Sequence, residues 1–168
     1  MPQWEFHAAD LAATDRLGAA LAEIVPDGSV IGLIGTLGAG KTRLVQAIAT
    51  ACGVPRAAVS SPTFVLCHEY HGRRLIYHLD AYRLSGPEQF LQLGPEEMFA
   101  APAMTIIEWS DRVAGCLPSD HWEIEIRIAP DDGRDFMIRV NNATPDLEKL
   151  RDRLSPGAEQ GPAQSSPR

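Results

Sequence analysis

Gly35-Thr36-Leu37-Gly38-Ala39-Gly40-Lys41-Thr42 has the form G-x-x-x-x-G-K-[ST], a complete phosphate-binding loop. Its chemistry follows from its residue types. Glycines let successive backbone N–H groups turn inward around phosphate oxygens, where side chains would block them. Lys41 reaches the β- and γ-phosphates as a compact cation, and the Thr42 hydroxyl is a Mg²⁺ ligand. The flanks agree with the motif. Val30-Ile31-Gly32-Leu33-Ile34 reads as a buried strand, and Arg43 to Ala51 as a helix whose N-terminus turns its partial positive charge toward the anion. The stretch predicts a nucleoside-triphosphate site lined by Leu37, Gly38, Ala39, Gly40, Lys41 and Thr42.

On the N-terminal side, Trp4-Glu5-Phe6-His7 alternates like a short edge strand. Asp10 is placed to cap a helix carrying Leu11, Leu17, Leu21 and Ile24 near helical spacing, which Pro26-Asp27-Gly28 ends. On the C-terminal side the loop's helix closes at Gly53, and residues 54 to 63 read as loop. Phe64 to His71 and Arg73 to Leu79 read as a hairpin joined at Gly72. Pro87 to Leu93 and Pro95 to Ala100 are short helical pieces opened by proline. Met104 to Ile107 is an apolar strand. His121 to Ile128 puts Ile124, Ile126 and Ile128 on one face, Asp131-Asp132-Gly133 turns the chain, and Phe136, Ile138 and Val140 supply the matching face. Pro145 to Leu154 is a last helix. Ser155 to Arg168 is rich in Gly, Pro, Gln and Ser and reads as a disordered tail. The sum is an α/β fold, a single P-loop NTPase-like three-layer domain over residues 1–154 with a mixed, partly antiparallel central sheet.

Composition sets bounds on function. The 168 residues are 45% hydrophobic, enough for one core. A net charge of −7 argues against a surface that grips nucleic acid unaided. Only two lysines occur, Lys41 and Lys149, so arginine is the default cation and the loop lysine stands out. Cys52, Cys67 and Cys116 lack metal or redox spacing and suit small buried residues in a reducing cytoplasm. No basic-then-apolar leader opens the sequence, and no apolar run approaches the ~18 residues needed to span a bilayer.

Hydrolysis needs carboxylates near the metal and a group that senses the γ-phosphate. Leu75 to Leu79 ends in Asp80, and Met104 to Ile107 ends in Glu108. In open α/β sheets the ligand sits outside strand C-termini, so both carboxylates are placed to face one crevice. Each is also readable as a strand-end carboxylate satisfied by a helix terminus or an arginine. Glu108 is the better metal candidate, following four largely apolar residues. Ser61-Pro62-Thr63-Phe64 lies where nucleotide switches carry a threonine, though from spacing alone it reads more readily as a plain turn. His78 reads as a strand histidine and not as a base; Trp109 suits a core or an interface.

The loop, Ser61-Pro62-Thr63-Phe64, His78-Leu79-Asp80-Ala81-Tyr82-Arg83-Leu84 and Glu108-Trp109 occur in this order. Together they resemble the TsaE (YjeE) family, over residues 4 to 142. The resemblance implies a small cytoplasmic ATPase that binds ATP with Mg²⁺ and hydrolyses it slowly. It implies action with the TsaD and TsaB subunits in threonylcarbamoylation of adenosine 37 of tRNA. It also implies Thr42 and Glu108 as metal ligands, Thr63 and Asp80 as switch-like and catalytic positions, and Arg134 as a basic residue that reaches the nucleotide. Thr36 stands where many relatives carry an acidic residue, and Ser110 where many carry proline. Neither departure touches the proposed metal ligands.

The rival readings are a P-loop small-molecule kinase, a GTPase and a nucleotide-gated assembly factor with negligible turnover. A kinase needs an arginine-bearing lid to exclude water; Arg73, Arg74 and Arg83 sit in or beside apparent strands instead. The guanine-reading Asn-Lys-x-Asp pattern is missing around Lys149.

Overall fold

A computed structural model describes residues 1–62, 66–141 and 144–155. Seven strands form one sheet: β1 (Gln3–Ala8), β2 (Val30–Ile34), β3 (Cys67–His71), β4 (Leu75–Asp80), β5 (Ala103–Glu108), β6 (Trp122–Ile128) and β7 (Arg134–Val140). Their order is β1-β7-β6-β2-β5-β4-β3. β6, β2, β5 and β4 are parallel, while β3 pairs antiparallel with β4, β7 with β6, and β1 with β7. This is the mixed α/β sheet that the sequence predicts.

Strand composition follows coverage. β2 and β5 are apolar nearly throughout because helices cover both faces of the parallel half. β6 and β7 alternate because one face alone is covered, with Trp122, Ile124, Ile126, Phe136, Ile138 and Val140 turned inward. Ile128 shares the face of Ile124 and Ile126 but is exposed at the end of β6, beyond the reach of the packed helices.

α1 (Leu11–Ile24), α2 (Lys41–Ala51) and α5 (Thr144–Leu154) pack on the inner face. α3 (Pro87–Leu91), α4 (Pro95–Ala100) and a 3₁₀ segment, Ser110–Cys116, cover the other face of the parallel half, over Val30, Leu79 and Ile107. Asp10 caps α1 as expected, accepting from the Ala13 N–H at 2.7 Å. Leu11 is exposed, not core, because the first helical residue points away from the sheet that holds Leu17 and Leu21. α1 crosses α2 at Gly18, where an added Cβ would lie 2.4 Å from Ala47 Cβ.

The predicted hairpin forms, registering Cys67 against Leu79, with a turn over residues 72–74. The expected strand residues Phe64 and Val65, and residues 156–168 of the expected tail, lie outside the described residues.

Candidate nucleotide site

The phosphate loop leaves the C-terminal end of β2 and enters α2 at Lys41. Gly38 (φ 79°) and Gly40 (φ 108°) occupy the left-handed region, where a side chain would strain the backbone. Gly40 precedes the helix without a side-chain cap, so the first-turn N–H groups of α2 face the cleft. The cleft has a volume of 430 Å³ and is lined by the loop together with Ser61, Asp80, Tyr82, Glu108 and Trp109.

Parallel register brings the two predicted carboxylates side by side: Asp80 pairs with Glu108 across β4 and β5, and Glu108 with Leu33 across β5 and β2. Both side chains are buried. Thr42 Oγ1 donates to Glu108 Oε1 at 2.8 Å. Asp80 is held by the Tyr82 N–H at 2.8 Å and by Ser61 Oγ at 3.2 Å. The partners of these two carboxylates include hydroxyls, an amide and a histidine, and one of the hydroxyls, that of Thr42, belongs to the first turn of α2, the kind of helix terminus that also satisfies a strand-end carboxylate.

Lys41 is drawn in beneath the loop. Its Nζ donates to the carbonyls of Gly35 (2.7 Å) and Thr36 (3.0 Å) and lies 3.7 Å from the centre of the Trp109 ring. Burial pushes the ammonium below its ordinary 10.5, while Glu108, Asp80 and Asp111 pull it back up. Trp109 itself is left-handed (φ 58°, ψ 40°), a conformation that costs a non-glycine residue of order 1 kcal/mol. Its ring packs on Tyr82, centroids 4.8 Å apart, and Arg112 donates to the Tyr82 carbonyl. Trp109 therefore faces the cleft.

Arg134 stands on the loop's far flank. Its Nε donates to the Ala39 carbonyl at 2.8 Å, and its Nη1 to the Asp132 and Gly133 carbonyls. It borders a second cavity of 360 Å³, shared with Asp10, Leu11, Arg43 and Phe136. The structure thus brings together Leu37, Gly38, Gly40, Lys41, Thr42, Asp80 and Glu108 around the cleft, buries Ala39 behind the loop, and sets Arg134 as its brace. Thr63 lies outside the described residues.

Sequence reading missed His78 as part of the site. Its ring is fully buried, with Nε2 2.8 Å from Glu108 Oε1 and Nδ1 3.1 Å from the Tyr70 hydroxyl. The available signal was parity: His78 and Asp80 are two apart on one strand and share a face.

The family model for threonylcarbamoyl adenosine biosynthesis protein TsaE matches residues 8–136. The chain belongs to the TsaE family. Curated TsaE proteins resemble it over most of their length. The Treponema pallidum protein is 38% identical over 125 residues, covering 74% of this chain and 92% of the relative. The Nostoc protein is 39% identical over 141 residues (81% and 85%), and that of Bacillus subtilis 32% over 137 (81% and 85%). The crystal structure of Bacillus subtilis YdiB superposes with a TM-score of 0.79 at 28% identity, covering 92% of this chain and 97% of that one. Membership of the TsaE family implies nucleotide binding, in agreement with the phosphate loop.

The residues present also suit a Mg²⁺ ion. Thr42 and Glu108 offer hard oxygen donors within 2.8 Å of each other at the cleft. Among the described residues no three His, Cys, Asp or Glu side chains form an all-protein cage. Mg²⁺ does not require one, since it keeps waters and takes phosphate oxygens alongside one or two protein ligands.

Proposed function

We propose that this TsaE-family chain is the Mg²⁺-dependent ATP-binding and ATP-hydrolysing subunit of tRNA threonylcarbamoyladenosine biosynthesis in the cytoplasm. In this reading it acts with TsaD and TsaB, which carry the chemistry on adenosine 37. The observation that carries the reading is the contact of Thr42 with Glu108 beside Asp80 at the mouth of a complete phosphate loop.

The loop amides and Lys41 hold the phosphates. Lys41 turns from the Gly35 and Thr36 carbonyls and from the Trp109 face to reach them, exchanging partners of partial charge for an anion. Thr42 and Glu108 would hold the metal, which would supply neutralisation of charge on the phosphate oxygens. Asp80, fixed at both carboxylate oxygens by Tyr82 N–H and Ser61, orients the attacking water and accepts its proton. Thr63 supplies the switch-like hydroxyl at the γ-phosphate. Arg134 sets the loop through Ala39, and the cavity beside it receives the nucleoside end.

A net charge of −7 supports contact with tRNA through partners and not directly. The test is ATP turnover by the chain alone and with TsaD and TsaB added. A slow rate that rises with the partners is expected, as is Mg²⁺-dependent turnover lost in Glu108→Ala with ATP binding largely retained. A rate indifferent to the partners would defeat the partner-coupled reading. Undiminished turnover in Glu108→Ala would move the metal role to Asp80.

A further inference from the structure

We propose that His78 is a positioning residue for Glu108, and that through Tyr70 it ties this carboxylate to the segment entering Ser61-Pro62. The inference deepens the functional reading above and rests on its assignment of Glu108 to the metal.

Geometry carries the proposal. His78 pairs with Ile106 and Asp80 with Glu108, so the imidazole is the inner diagonal neighbour of the Glu108 side chain on one sheet face. Its Nε2 meets the same oxygen, Oε1, that accepts from Thr42. One carboxylate oxygen is thus clamped between the phosphate loop's helix and the strand beneath it. A freely rotating glutamate would sample several χ angles; two directional contacts on one oxygen leave a single orientation.

The other ring nitrogen extends the clamp. Nδ1 lies 3.1 Å from the Tyr70 hydroxyl, and Tyr70 donates to the Ser60 carbonyl at 3.1 Å. Tyr70 belongs to the edge strand β3, so the contact bridges β4 to the loop before Ser61. Ser61 returns to the site by donating to Asp80. Glu108, His78, Tyr70, Ser60, Ser61 and Asp80 therefore form an arc of hydrogen bonds and one peptide link, beginning and ending on the two carboxylates. A histidine that merely filled the core would need no partner at the cleft, and burying an imidazole is unfavourable unless both nitrogens are met. Here both nitrogens are met, one of them by a residue of the nucleotide site.

The test compares His78→Leu, His78→Gln and Tyr70→Phe. Glutamine can return an amide N–H near the Nε2 position; leucine cannot. Mn²⁺ binding to the ADP-loaded protein is read by electron paramagnetic resonance, and ADP affinity in EDTA by calorimetry. His78→Leu is expected to weaken Mn²⁺ by about 10- to 100-fold, the usual effect of losing a partner of a metal ligand, with ADP affinity in EDTA within about twofold. His78→Gln is expected to recover most of the loss. Tyr70→Phe, which spares the Glu108 contact, is expected to cost less than His78→Leu.

Unchanged Mn²⁺ affinity in His78→Leu would overturn the proposal, as would equal losses of Mn²⁺ and EDTA-state ADP binding. If the leucine variant does not fold, His78→Gln and Tyr70→Phe carry the test. A measurable loss of Mn²⁺ affinity in Tyr70→Phe with His78→Gln near wild type supports the clamp, both variants matching wild type overturns it, and a glutamine variant that folds but loses Mn²⁺ as severely as Glu108→Ala refutes the donor role. Wild-type protein that holds ADP but no Mn²⁺ would remove the metal assignment itself, a failure distinguishable from loss of the His78 role alone.

Discussion

Gly18→Ala sets two opposed effects against each other at the crossing of α1 and α2. Alanine is the better helix former, by about 0.8–1.0 kcal/mol, and position 18 lies inside α1. The new Cβ, however, would sit 2.4 Å from Ala47 Cβ and 2.8 Å from the Ala47 carbonyl carbon. Carbon atoms pack at roughly 3.5–4.0 Å, so the helices must part by about 1 Å or the chain must bend. Overpacking of this kind costs about 1–3 kcal/mol. Backbone atoms, unlike a flexible side-chain tip, cannot step aside, which places the cost toward the upper end. The net expectation is a loss of about 1–2 kcal/mol, lowering Tm by about 3–6 °C.

Position matters as much as magnitude. α2 carries Lys41 and Thr42 at its N-terminus, so its displacement disturbs the phosphate cradle. Thermal unfolding of Gly18→Ala should show the lower Tm, and calorimetric titration with ADP a weaker affinity. Ala47→Gly in the same chain removes the closest atom and should restore part of both, a coupling between touching sites. A more stable Gly18→Ala with unchanged ADP affinity would refute the steric reasoning and leave helix propensity as the governing effect.

Arg134→Ala removes the donor to Ala39 and should weaken ADP binding by about 10- to 150-fold, the equivalent of one charged hydrogen bond; unchanged calorimetric affinity would refute its bracing role. The Asp135 hydrogen bond, with Asp131 beside it, raises His7 above its ordinary 6.5, while the Gly133 N–H, with His7 beside it, lowers Asp131 below 3.8. The stability His7 contributes is then complete below 6.5 and lost as pH rises through its raised value, and that of Asp131 is present above 3.8 and lost on acidification. His7→Asn should accordingly destabilise more at pH 6 than at pH 8.5 by denaturant titration, and equal losses would sink the assignment. Burial pushes the Cys67 thiol up to about 11 from an ordinary 9.0. At pH 8 it should alkylate on the order of 100-fold more slowly than a free thiol, and rapid labelling of Cys67 by iodoacetamide followed by mass spectrometry would contradict this.

Local signals in the chain proved sufficient where the physics is local. The phosphate loop, the Asp10 cap, the hairpin and the paired inner faces of β6 and β7 all follow from spacing of a few residues. The exposure of Leu11 and Ile128 was not legible, because periodicity names a face without saying how far the opposing layer extends. The Lys41–Trp109 stacking and the His78–Glu108 contact escaped for another reason. The second depends on the register of β4 against β5, and the first on β5 lying beside β2, which carries the loop; both are properties of the whole sheet. Asp80 and Glu108 were legible as a pair because each ends an apolar strand. His78, in the middle of one, carries the same signature as any buried polar residue.

β2 occupies the centre of the sheet, yet both its neighbours come from far downstream: Val30 pairs with Thr105, and Ile31 with Trp122. Closing such distant pairings is slow, because chain entropy is lost before the contacts form. During synthesis the phosphate loop therefore emerges long before anything can hold it in shape. A nascent chain ending before β5 carries the whole motif and no nucleotide site, and competence to bind arrives when the last-made strands dock. In this topology the cradle is held on both sides only once β5 and β6 have been made, although its own motif lies in the first third of the sequence.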